Sequence, residues 1–164
     1  MSVGIQYDRK NMNQLTITRF NGTEVFPIAS AHLFTLRDNE DLTLWFEIEA
    51  TKEGAHFNAD TLVYPATPSA ELGIRMAQFD SSKLVGQQFT HPGISSDDGD
   101  SCCALFYYYE HQPLRDNQVS ILSQSRNIFK ICWIARTQDV NFYDGSKPDA
   151  KIEITADFTL TSTC

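Results

Sequence analysis

Two stretches of this chain alternate apolar and polar side chains without a break, and that period of two constrains the fold more than any other feature. In Leu42 to Ala50, the residues Leu42, Leu44, Phe46, Ile48 and Ala50 fall on one face, against Thr43, Trp45, Glu47 and Glu49 on the other. Lys151 to Leu160 repeats the pattern, with Ile152, Ile154, Ala156, Phe158 and Leu160 opposite Lys151, Glu153, Thr155, Asp157 and Thr159. A β-strand sends successive side chains to opposite faces, so both stretches read as strands with one face on a core. No segment sustains the 3.6-residue period of an amphipathic helix.

Shorter signals fill in the rest. Asn21-Gly22, between Leu15 to Phe20 and Thr23 to Ile28, predicts a two-residue hairpin loop, because Asn-Gly tolerates the positive φ angles such loops demand. Pro27 lacks a backbone donor and predicts an edge position or a break before Ala29. Leu72, Ile74 and Met76 mark another inward face, and a short strand is expected near Thr61 to Tyr64. Gln118 to Ser123 reads as a strand, and Ile128 to Thr137, apolar on both faces, as a central one. Cys102 to His111 places Ala104, Phe106 and Tyr108 on one side and Cys103, Leu105, Tyr107 and Tyr109 on the other. Its kinship with Ile128 to Thr137 predicts a central strand covered on both faces. Residues 80–100 are polar and rich in glycine, as in a long loop. About eight strands without crossover helices predict an antiparallel β-sandwich with long loops, one domain over residues 1–164, with a small closed β-barrel as the alternative.

The 164 residues suffice for a core without a metal or disulfide to staple it. No apolar run approaches the ~20 residues that span a bilayer. The N-terminus has no basic region followed by an apolar segment, so a cytoplasmic location is expected. The four cysteines fit reduced thiols better than a disulfide framework, since Cys102 and Cys103 are adjacent and Cys164 is last.

Charge narrows the partners. The net charge is −8, and residues 38–100 hold three basic against twelve acidic groups. An anionic block repels nucleic acid and acidic membrane surfaces, leaving a basic protein or a divalent cation as its complement. The first reading is a non-enzymatic interaction module that binds a protein partner or its own copy through the aromatic side chains Trp45, Tyr107, Tyr109 and Trp133, since interfaces favour Tyr and Trp at their centre. The alternative is a calcium-dependent binding domain. Three acidic loops could converge at one end of a sandwich, and Asp97, Asp98, Asp100, Asp41 and Asp144 are its candidate oxygen ligands. In loop composition alone this resembles the C2 domains, which implies calcium as the one cofactor and calcium as the only route to a membrane.

Catalysis has less to stand on. His32, His56, His91 and His111 are scattered, and there is no Gly-x-Ser-x-Gly elbow, His-Glu-x-x-His or phosphate-binding glycine loop. His91-Pro92, in a glycine-containing loop, is the histidine to inspect first, and His56 with Asp60 is a fragment of a metal site. An enzyme or carrier would need a barrel cavity with convergent histidine and carboxylate groups.

Overall fold

The computed structural model describes residues 13–51, 67–93, 103–108 and 110–162. Ten strands make up a single sheet among these residues: β1 (Gln14–Arg19), β2 (Gly22–Asp38), β3 (Asp41–Ala50), β4 (Ser69–Met76), β5 (Gln88–His91), β6 (Ala104–Tyr107), β7 (His111–Pro113), β8 (Arg115–Ser125), β9 (Ile128–Thr137) and β10 (Ala150–Leu160). Their order is β5-β8-β9-β10-β1-β2-β3-β4-β6-β7. Neighbours run antiparallel, except where β10 also meets β2 in parallel through Thr159 opposite His32 and Leu160 opposite Leu33. Among the described residues a 3₁₀ turn, Ser81–Lys83, lies between β4 and β5. No described helix is long and apolar enough to cross a membrane.

β2 folds the sheet into two layers. Its first part pairs with β1 from Arg19 opposite Gly22 to Gln14 opposite Pro27. A bulge between Ile28 and Ser30 follows, and the second part pairs with β3. A bulge bends its strand and increases the local twist. Beyond Gln14, β1 no longer separates β10 from β2, and the two meet directly. Pro27 therefore does not end the strand but lies just before the bulge within its 17 residues. Phe46 of β3 packs against Phe158 of β10 and Phe89 of β5, with ring centroids 6.2 Å apart in both pairs. The two halves of the sheet thus face each other across one core, an antiparallel β-sandwich that does not close into a barrel.

The inward faces are those the alternation predicts. Leu44, Phe46 and Ile48 of β3, Leu72 of β4, Phe129 and Ile131 of β9, and Ile152, Ile154 and Phe158 of β10 are all buried. Each such side chain contributes about 1.5–3 kcal/mol on burial. Leu44→Asp, which places an unpaired carboxylate among them, is expected to cost several kcal/mol and abolish cooperative melting. A normal circular dichroism transition for this variant would show the facing to be wrong.

Several expectations need correction. The hairpin loop residues are Phe20 and Asn21; Gly22 is already paired opposite Arg19, at a φ of 149° that favours glycine. The aromatic run is no central strand. Among the described residues, β6 covers Ala104–Tyr107 and has a single three-residue strand, β7, beyond it. β7 ends at Pro113, which has no N–H to extend the ladder. The chain bends at Tyr108, which turns inward and donates its hydroxyl to buried Glu24 at 2.7 Å. β5 lies inside the segment read as a loop, because Gln88-Phe89-Thr90-His91 offers a single apolar anchor and too short an alternation to recognise. The strand expected at 61–64 falls outside the described residues.

Candidate functional site

The outward face of β2-β3-β4-β6-β7 is assembled in cross-strand rows. One row reads His32 opposite Glu47, Glu47 opposite Glu71, and Glu71 opposite Leu105. The next reads Ser30 opposite Glu49, Glu49 opposite Ser69, Ser69 opposite Tyr107, and Tyr107 opposite His111. Directly opposed side chains lie about 5 Å apart at Cβ, so residues far apart in sequence become neighbours here. Together the rows line a trough of about 400 Å³. Tyr107 and His111 form one wall, with ring centroids 4.9 Å apart and planes at 42°.

The described lining of the trough is acidic. Glu47, Glu49 and Glu71 line it without a lysine or arginine, and no ion pair to them occurs among the described residues. Like charges directly opposite on neighbouring strands are destabilising. The Glu47 carboxyl is pushed above its ordinary 4.5 by burial first and by Glu71 second, while His32 opposes the rise. A larger concavity of about 620 Å³ on β8-β9-β10 differs in kind, because Arg136 and Lys151 balance Asp116 and Asp149 there. Arg115 also pairs with Asp149 at 2.8 Å. Of these two, only the trough lacks a lysine or arginine in its described lining.

The predicted aromatic surface is divided. Tyr107 is 38 % exposed in the trough. Trp45, half-buried, lies one row further along the same face, opposite Phe34 and Gly73. Its indole crosses Gly73, where an added Cβ would meet Cζ2 at 3.0 Å and Cε2 at 3.1 Å. Tyr109 lies outside the described residues. Trp133 belongs to the core: it is 0 % exposed and donates Nε1–H to Asn117 Oδ1 at 3.0 Å, which removes it from any surface. Ile128 to Thr137 is central, so its inward face is covered by the opposite layer.

Of the candidate metal ligands, the two among the described residues, Asp41 and Asp144, lie at opposite ends of the sheet. Asp144 lies in the loop before Ala150, where β10 begins, whereas the turn carrying Asp41 lies further along β2 than Leu33, which pairs with the end of β10. Asp144 accepts the Ser146 N–H at 2.9 Å, and hydrogen bonds from Ser146 hold its carboxyl below the usual range. Asp41 sits 3.8 Å from Arg75. Asp97, Asp98 and Asp100, like His56 and Asp60, lie outside the described residues. Among the described residues no group of three or more His, Cys, Asp or Glu side chains could hold a metal ion.

Sequence reasoning missed the pairing of His32, Glu47, Glu71 and His111. The signal that could have found it was the outward position of Glu47 and Glu71 on consecutive strands. The described chain is thus an antiparallel β-sandwich with an acidic trough on one outward face. No protein-family model, curated protein or solved structure matches it.

Proposed function

We propose that this domain is a non-enzymatic binding module that receives a basic segment of a protein partner in the trough of β2-β3-β4-β6-β7. The observation that carries this reading is the grouping of Glu47, Glu49 and Glu71 in one concavity with no lysine or arginine among its described lining residues. A lysine or arginine side chain of a partner relieves the repulsion between Glu47 and Glu71, and Tyr107 at the wall offers a ring face to the same cation. A second copy docking by the same face would set glutamate against glutamate. Among the described residues the sheet does not close into a barrel.

Titration calorimetry with an arginine- and lysine-rich peptide tests the proposal, with a glutamate-rich peptide of equal length as control. Binding should be confined to the basic peptide and weaken with added salt. The double change Glu47→Gln and Glu71→Gln should lower affinity about tenfold, which corresponds to ~1.4 kcal/mol. Equal affinity in the parent and the double variant would defeat the reading.

The pH dependence has a definite sign. Because the folded Glu47 pKa is raised, folding favours its protonated form, and the penalty on the charged form develops as pH rises through the folded pKa. Glu47→Gln alone should therefore raise the melting temperature at neutral pH, with the gain fading on acidification. Peptide binding should fall away at a higher pH than an ordinary glutamate would dictate.

A further inference from the structure

A thiol and an imidazole meet where the end of β5 approaches the start of β6, outside the trough. Cys103 Sγ lies 3.1 Å from His91 Nε2. The other ring nitrogen, Nδ1, accepts the Gly93 N–H at 2.9 Å. A neutral imidazole carries one N–H, and the nitrogen that accepts a hydrogen bond is not the one that bears it. The proton therefore sits on Nε2, directed at the Cys103 sulfur. Burial lowers the His91 pKa, which favours this neutral form at physiological pH.

The imidazole is held by the core. Gly93 adopts a φ of +79°, and any Cβ there would overlap the Leu114 carbonyl. Asn117, itself buried, donates to the carbonyls of Leu114 at 2.8 Å and His91 at 3.2 Å while accepting from Trp133. One amide thus ties the end of β5, the β7–β8 corner and the core indole together. A cysteine nucleophile with a histidine base needs the reverse arrangement, with a lone pair facing the sulfur and an N–H behind it. Here the group facing the sulfur is a donor, and a hydrogen bond to the charged form favours the thiolate.

We propose that Cys103 is a thiolate-prone site of reversible modification by small-molecule disulfides. Its sulfur attacks one sulfur of the disulfide; the Cys103 S–S bond forms as the original S–S bond breaks, and the second sulfur leaves as a thiolate. Cys103 is oxidised by the same two electrons that reduce the disulfide, and a second thiol reverses the exchange. Cys132 supplies an internal contrast. It is half-buried on β9, and burial pushes its thiol pKa up against the opposing Thr155 hydrogen bond.

The full chain treated with the neutral reagent 4,4′-dithiodipyridine, with sites assigned by peptide mapping, tests the assignment. At neutral pH Cys103 should react about tenfold faster than Cys132, and the rise of its rate with pH should have its midpoint at a lower pH than that of Cys132. His91→Phe should slow Cys103 about fivefold and leave Cys132 unchanged, whereas His91→Gln, which retains an N–H, should recover part of the rate. Trp45 fluorescence should change with Cys103 labelling, because the indole lies across Gly73, whose N–H donates to the Cys103 carbonyl at 2.7 Å. Cys103 reacting no faster than Cys132 in the parent chain would overturn the proposal whether or not the variants fold. So would an unshifted Cys103 pH profile in a folded His91→Phe protein.

Discussion

Asp139→Ala is expected to destabilise the domain by about 3–5 kcal/mol, the cost of removing one member of a buried, bidentate ion pair. The partner is Arg19, the last residue of β1. Its Nε donates to one Asp139 oxygen at 3.0 Å and its terminal nitrogen to the other at 2.9 Å, and both side chains are almost wholly buried. Asp139 Oδ1 also accepts the N–H groups of Asn141 and Phe142 at 3.0 and 3.1 Å. The carboxylate therefore pins the β1–β2 hairpin to the β9–β10 loop and fixes that loop's first turn. Lys147, 5.0 Å from the Phe20 ring and 5.3 Å from that of Phe142, closes the same corner from outside. Urea denaturation should show the loss as a lower midpoint. Removing both charges, as Arg19→Met with Asp139→Leu, should recover part of it, because replacing a buried ion pair by apolar side chains costs less than removing one member. A change below about 1 kcal/mol in Asp139→Ala would show that this ion pair does not hold the corner together.

Asn117→Ala should be nearly as severe, at about 3 kcal/mol or more, since three buried partners lose their hydrogen bonds together. They are the Trp133 indole and the Leu114 and His91 carbonyls. Two optical and chemical readouts separate this from a general loosening. Trp133 fluorescence should shift in the native state, and Cys103 should lose its reactivity advantage as His91 is released. A variant with native stability and an unchanged Cys103 rate would show that the amide is not the anchor.

The inward faces were legible because they depend on a local rule. Leu44, Phe46, Ile152, Ile154 and Phe158 declare their side by alternation alone, and folding does not alter that parity. The acidity of the site was legible for a similar reason, since Glu47, Glu49 and Glu71 all belong to the anionic block of residues 38–100. β5 was not legible, because four residues with one apolar anchor carry almost no periodic signal. Trp133 was misplaced on a surface because an indole reads alike in a core and at an interface. The aromatic run was misplaced in the sheet because composition reports how apolar a strand is, and not how many strands lie beyond it.

Sequence alone thus determined which side chains face inward, that the fold is all-β, and that its middle third is anionic. Each follows from neighbours along the chain. Tertiary structure alone decided that His32, Glu47, Glu71 and His111 share one trough, that His91 meets Cys103, and that Arg19 meets Asp139. These depend on strand order and register, which are set by pairings between distant segments competing for one core. Arg19 and Asp139 are separated by 120 positions in the chain, and no local pattern encodes a contact at that range.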